Sequence, residues 1–86
     1  MTDFNVTDYD KFTLMGVKTR VENGELITTA PVAAADAAFY ALECINTLTG
    51  VDHVFNFDVS IKDPLEVLDF LNMNDHIKEC GIEKLY

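Results

Sequence analysis

Basic residues, cysteines and histidines are scarce in this sequence. Its 86 residues contain two cysteines, two histidines and no tryptophan, and six lysines and arginines stand against fifteen aspartates and glutamates. The formal net charge is −9. Direct binding to nucleic acid or to an anionic membrane is not expected, because both require clustered lysine and arginine.

Segments that direct a protein into or across a membrane are also lacking. No apolar run approaches the roughly 20 residues of a membrane span. Met1–Asn5 has neither the basic residues nor the apolar core of a secretion signal. Cys44 and Cys80 lie far apart in the sequence, and we interpret both as reduced thiols. These features predict a cytoplasmic protein.

Signatures of catalysis are missing as well. The four glycines stand singly, so no glycine-rich phosphate-binding loop is present. Carboxylates are abundant, but nothing in the pattern predicts a pocket that would make two of them a general acid and a general base. The sequence therefore predicts a protein that is not an enzyme and that has no cofactor.

The size and composition are those of one small folded unit. Hydrophobic residues make up 49% and charged residues 24% of the chain, which is ordinary for a globular domain and unlike a disordered one. A domain typically has about 100–150 residues. We therefore interpret residues 1–86 as a single domain with one small core.

The strongest local signal is the dipeptide Asn23-Gly24. It supplies the two positive φ angles of a type I′ turn and joins two segments rich in β-branched residues, Lys11–Glu22 and Glu25–Ala30. A hairpin with a two-residue loop places Val21 opposite Leu26.

A helix is predicted over Val32–Thr49. Pro31 suits its first turn and Gly50 the position just after its end. The apolar face of this helix would be much wider than that of an ordinary surface helix, so we expect it to be covered on two sides. The following segment, Val51–Ile61, alternates apolar and polar residues and predicts a long half-buried strand.

Two further helices are predicted near the C-terminus. Asp63 and Pro64 form a typical N-cap and first turn for a helix through about Asn72. This helix would turn inward Val67, Leu68, Phe70 and Leu71. A short helix over Asp75–Cys80 would stop at Gly81.

The element order β-β-α-β-α predicts an α+β, two-layer fold. A right-handed crossover places the third strand beside the first, which gives a three-stranded antiparallel sheet with the helices on one face. On the open face, we expect an apolar patch rimmed by acids, which would mark a protein interface. Its members would be Phe12, Leu14, Ile27 and Val54.

The histidines and cysteines suggest only a weak metal hypothesis. His76 and Cys80 are four residues apart, which puts two ligands on one helical face. Cys44 and His53 would have to complete a zinc site from separate elements. Because no C-x-x-C pair is present, we predict no metal site and treat a zinc enzyme as a distant alternative.

The acidic residues carry the main functional hypothesis. The sequence has no lysine or arginine between Val21 and Ile61, so negative charge gathers there. Outward positions on a strand repeat at roughly 6.6 Å, close to the phosphate spacing of one nucleic-acid strand at about 6–7 Å. We predict these partner-binding residues: Asp36, Glu43, Asp52, Asp58, Glu66 and Asp69.

A simpler interpretation of the same charges stays open. An acidic face often serves only to keep a protein soluble. In the predicted strand order, Lys18 and Arg20 would also pair across strands with Asp52 or Asp58 and neutralise part of the face.

In size and charge the chain is similar to phage-encoded anti-restriction and anti-CRISPR proteins and to the acidic immunity proteins of nuclease toxins. This resemblance implies a non-catalytic inhibitor that occupies the Lys/Arg groove of a basic nucleic-acid-binding protein as a DNA mimic. The alternative is a small homo-oligomeric binding module, for example a homodimer, either structural or holding a small ligand between subunits. The wide apolar face of the predicted Val32–Thr49 helix favours that alternative.

Overall fold

Most of the chain is β-structure. The computed structural model describes residues 4–86, in which five strands form one sheet and two α-helices are short. The strands are β1 (Lys11–Glu22), β2 (Glu25–Val32), β3 (Phe39–Ile45), β4 (Asp52–Asn56) and β5 (Ile82–Leu85). The helices are α1 (Pro64–Leu71) and α2 (Asp75–Cys80), and single 3₁₀ turns occupy Val6–Asp8 and Ala34–Asp36.

Strand β1 is the centre of the sheet. The strand order is β2-β1-β3-β4 with antiparallel neighbours, and Lys11–Val17 of β1 pairs with β3. On its other edge, β1 pairs in parallel with β5 over Phe12–Met15, and it pairs with β2 from Gly16 onward. Beyond Val17, β1 pairs with β2 alone, so the hairpin extends past the sheet as a two-stranded arm.

The predicted hairpin is confirmed at its turn. Asn23 and Gly24 have φ angles of 53° and 79°, and Val21 lies opposite Leu26. The pairing that the two-residue turn sets between β1 and β2 continues to Lys18 opposite Thr29. Beyond that pair the register shifts by one residue.

The predicted helix Val32–Thr49 is wrong, and with it the three-stranded α+β architecture. Most of this segment is β3 and the 3₁₀ turn before it. Within Phe39–Ile45 the side chains of Tyr40, Leu42 and Cys44 point alternately into the core, a period of two rather than 3.6. Pairing with β1 and β4 satisfies the backbone on both edges of β3, which outweighs the helix propensity of the alanines.

The predicted strand Val51–Ile61 is shorter than expected. It ends at Asn56, because Asp58 forms a turn in which its Oδ1 accepts a hydrogen bond from Ser60 N at 2.8 Å. The predicted helix ends are confirmed. Asp63 caps α1 by accepting from Leu65 N at 3.0 Å, and α2 ends at Gly81.

The core lies on the sheet face that α1 and α2 cover. Phe12 and Leu14, 1% and 0% exposed, pack there, so their expected place on an open face is wrong. With them are Tyr40, Leu42, Cys44, Val67, Leu68, Leu71 and Ile77. The opposite face, called here the second face, carries Met15 and Leu85 on adjacent strands and Val54 on β4.

Gly16 marks a close approach of the chain. A Cβ at this position would lie 2.5 Å from the Val32 carbonyl oxygen and 3.1 Å from the Ala37 Cβ. The connection from β2 to β3 therefore passes directly against β1, which only a glycine permits.

No helix within residues 4–86 has the length and apolar character needed to cross a membrane. The expectation that a secretion signal is lacking depends partly on Met1, Thr2 and Asp3, which lie outside the described residues.

Candidate functional site

The six acids predicted to bind a partner do not form one site. Glu43 and Asp52 are diagonal neighbours on the second face, since Glu43 lies opposite Val54 and Ile45 opposite Asp52. Glu66 and Asp69 are exposed on α1, in the helical layer. The remaining two are in connecting segments, Asp36 in the 3₁₀ turn before β3 and Asp58 in the turn after β4.

The row of strand-spaced carboxylates is absent from β4. Asp58 is not on the strand, and the outward positions after Asp52 hold Val54 and Asn56. The hydrogen bond from Ser60 N lowers the pKa of Asp58 and gives this carboxylate a local structural role. The phosphate-spacing argument for Asp52 and Asp58 is therefore wrong.

The expected neutralisation of the acids by Lys18 and Arg20 is also wrong. Both residues lie on the arm, and Arg20 pairs with Glu22 at 2.9 Å. This is the one ion pair among residues 4–86. Lys62 Nζ donates to a backbone oxygen, that of Ala38, at 3.0 Å. Most carboxylates in this range are thus free of a basic side-chain partner.

His76 and Cys80 lie close together, and their polar atoms take part in hydrogen bonds within the protein. His76 Nε2 lies 2.6 Å from the Tyr9 carbonyl oxygen, to which it donates, and Cys80 Sγ is 3.7 Å from the same nitrogen. A nitrogen that donates a hydrogen bond has no lone pair for a metal. Across residues 4–86 no three His, Cys, Asp or Glu side chains are grouped as metal ligands.

The other two members of the zinc hypothesis lie side by side on β3 and β4. Cys44 pairs with His53 in the strand register, but Cys44 is buried in the core. Burial raises the pKa of the Cys44 thiol to about 11, so it stays protonated at neutral pH. His53 instead packs on the rings of Phe4 and Phe55.

A large apolar pocket opens beside the C-terminal end of α1. Its volume is about 730 Å³, and we call it the α1 groove. The N-terminal segment, β4 and the turn after α1 form its walls. The side chains that define it are Phe4, Phe55, Phe57, Phe70 and Met73.

The α1 groove carries exposed apolar side chains at its rim. Phe70 is 66% exposed and Met73 is 81% exposed. Phe70 was expected to point into the core, but α1 buries only Val67, Leu68 and Leu71. The helical projection contains the signal for this difference, since at about 100° per residue Phe70 lies about 160° from the buried Leu68.

The wall formed by the N-terminal segment is fixed by aromatic contacts. The Phe4 ring packs edge-on against Phe55 at 4.4 Å between centroids and stacks on Tyr9 at 5.2 Å. Sequence reasoning placed no pocket here, because it depends on contacts between residues about 50 positions apart.

No protein-family model, curated protein or solved structure matches this chain.

Proposed function

We propose that the protein is a non-catalytic acidic inhibitor that binds a basic nucleic-acid-binding protein. The observation that carries the proposal is the charge balance: a chain of net charge −9 forms one ion pair among its described residues. Carboxylates without basic partners keep their charge available for another molecule. Proteins that handle nucleic acids present the matching clusters of lysine and arginine.

The mechanism is electrostatic attraction followed by occlusion. Complementary charge speeds the encounter, and the bound inhibitor then excludes the nucleic acid from the groove. Binding is expected to be fast at low salt and weaker at high salt, because salt screens exposed charges. The resemblance in size and charge to anti-restriction and anti-CRISPR proteins supports the same assignment, and the proposal places the protein in the cytoplasm.

The two acidic pairs give the proposal two separable contact surfaces. Glu66 and Asp69 lie on α1, and Glu43 and Asp52 lie on the second face. We assign the contact to the α1 pair, because both of its residues are exposed whereas Glu43 is half-buried. Regularly spaced carboxylates on one strand play no part in this contact, because β4 ends at Asn56.

The test is affinity capture from the source lysate, with elution in a salt gradient and identification by mass spectrometry. The captured protein is then mixed with labelled duplex DNA or RNA and with increasing amounts of this protein. Displacement of the nucleic acid supports the proposal. A captured protein that holds nucleic acid and this protein at the same time contradicts it.

Charge-reversed variants locate the surface. E66K/D69K should slow association with the captured protein, and E43K/D52K is the matched control with the same change of charge. Equal slowing by both pairs would mean that net charge alone acts, without a defined surface.

The second face supports a second candidate function, a homo-oligomeric module. Among the described residues, Val54 and Leu85 are exposed on this face, and burial against another copy would remove them from water. The wide helix that first favoured oligomers does not exist. Light scattering over a range of concentrations tests this candidate: a dimer disrupted by Val54→Lys supports it, and a constant monomer excludes it.

A further inference from the structure

The end of α1 presents large apolar side chains to solvent. Phe70 and Met73 are largely exposed, although both adjoin the apolar α1 groove. Aromatic residues and methionine are enriched in the buried centres of protein interfaces, and methionine adapts to partners of different shape. These two side chains have the chemistry of a binding surface.

The α1 groove is large enough to take side chains from another molecule. Its volume of about 730 Å³ falls within the range of about 300–1,000 Å³ that is usual for binding pockets. Phe4 holds one wall in place through its contacts with Tyr9, His53 and Phe55. The groove is thus present before any partner arrives, which reduces the entropic cost of binding.

Two acidic residues of α1 lie close to Phe70 along the helix, outside the lining of the groove. Glu66 lies one turn before Phe70 on the same side of the helix, and Asp69 is the neighbour of Phe70. Both carboxylates are exposed, and neither forms an ion pair with a described basic residue. The surface therefore combines the apolar side chains of the groove with two carboxylates beside Phe70.

This charge pattern distinguishes between possible occupants. A second copy placed on the groove by two-fold symmetry would bring Glu66 and Asp69 near the same residues of its partner, with a charge of −9 on each chain. Like charges placed together oppose such a contact. A segment with lysines and arginines around apolar side chains complements both the carboxylates and the apolar side chains of the groove.

We infer that the α1 groove binds an amphipathic basic segment of a partner protein. The partner's apolar side chains enter between Phe4, Phe57 and Phe70, and its lysines or arginines meet Glu66 and Asp69. The inference rests on the proposed function and deepens it, since it names the surface and the segment that the inhibitor recognises. Apolar contact gives the complex its lifetime, and the acids give it speed and specificity.

The two described methionines provide a direct test by nuclear magnetic resonance. Met73 lies in the α1 groove and Met15 on the second face, so isotope-labelled methionine methyl groups report on both surfaces at once. The probe is an amphipathic peptide of leucine and lysine at helical spacing. It has about 18 residues, because shorter isolated helices are marginal. A scrambled peptide of the same composition is the control.

We expect saturable shifts of the Met73 methyl signal and none of the Met15 signal. The scrambled peptide should bind at least about tenfold more weakly, because it cannot present its leucines together. Phe70→Ser should weaken binding of the amphipathic peptide to a similar degree, and Val54→Ser, an exposed change on the second face, should leave it unchanged. E66Q/D69N should weaken binding at low salt and reduce its salt dependence.

Four outcomes would overturn the inference. Equal binding of both peptides, or equal shifts of Met15 and Met73, would show attraction by net charge without a groove. A Met73 shift that grows with protein concentration in the absence of peptide would assign the groove to a second copy. Unchanged binding by Phe70→Ser would remove the apolar centre.

The inference and the proposed function fail in different ways. If this protein displaces no nucleic acid from the captured partner, the inhibitor is refuted, while peptide binding at Met73 is still measured independently. If this protein does displace nucleic acid from the partner, but the partner binds Phe70→Ser and wild type equally, the groove is refuted and the inhibitor is not.

Discussion

The carboxylate of Asp10 connects the start of β1 to the loop between β3 and β4. Its Oδ1 accepts a hydrogen bond from Thr47 N at 2.8 Å, and its Oδ2 accepts one from the Thr47 hydroxyl. These bonds, the side-chain bond foremost, lower the pKa of Asp10. The residue before β1 is thereby tied to the loop between β3 and β4, a contact that no sequence pattern indicates.

We predict that Asp10→Ala lowers the stability of the fold at neutral pH. Because the pKa is lower in the folded protein, the carboxylate stabilises the fold above its unfolded pKa of about 3.9. That contribution is lost as the pH falls through the folded value. Urea unfolding should therefore distinguish wild type from variant at pH 7 and much less at about pH 2.5.

Asp8→Ala is the control for this prediction. Asp8 contributes a backbone oxygen to Asn46 but no side-chain bond to the loop. A loss of stability equal to that of Asp10→Ala would show that the Thr47 contact is not responsible, since removal of one negative charge from this acidic chain by itself reduces repulsion.

The two thiols should differ in reactivity. Cys44 is fully buried with a raised pKa, whereas Cys80 is exposed on α2. We predict that an aromatic disulfide reagent titrates one thiol in the native protein and two in denaturant, because only an accessible thiolate reacts. Cys80→Ser should abolish the native reaction. Rapid reaction of both thiols in native protein would contradict the buried position of Cys44.

At the scale of secondary-structure elements, the sequence predicts local turns and helix caps correctly, but it does not predict which strands pair. The turn Asn23-Gly24 and the cap Asp63-Pro64 each act within a few residues, and each is where the sequence predicted it. For Phe39–Ile45 the sequence predicts part of a helix, because alanine and leucine favour helices locally. Its actual state depends on edges supplied by β1 and β4.

The glycines of the first hairpin give a graded prediction. Gly24→Ala should cost about 1 kcal/mol, because its positive φ disfavours a side chain. Gly16→Ala should cost more, roughly 2–3 kcal/mol, since the added methyl would meet the Val32 carbonyl oxygen. Urea unfolding measures both. A larger cost for Gly24→Ala than for Gly16→Ala would mean that the connection from β2 to β3 moves easily away from β1.

For the whole molecule, the sequence predicts the net charge but not where the charged residues lie in the fold. The net charge and the absence of a phosphate-binding loop follow from counting residues. The division of Glu43 and Glu66 between opposite layers, and the α1 groove between the N-terminal segment, β4 and the turn after α1, required the fold. A pocket built from Phe4, Phe55 and Phe70 is invisible to any window along the chain.

We predict that salt stabilises the isolated protein. Unpaired acidic residues repel one another in the folded state, and raising sodium chloride from about 0.1 M to 1 M shortens the Debye length from about 10 Å to about 3 Å. The melting temperature should rise, and it should rise less for E66Q/D69N, which carries two fewer negative charges. A fall in melting temperature with added salt would mean that favourable ion pairs dominate.

The parallel pairing of β5 with β1 has a consequence for synthesis on the ribosome. The first strand of the sheet pairs with the last, so the edge of Phe12–Met15 has no β5 until residues 82–85 emerge. During translation, the nascent chain therefore exposes an unprotected strand edge beside its hydrophobic core, a form that is open to wrong pairing. Until residues 82–85 have emerged, this edge is where protection of the nascent chain by chaperones would matter most.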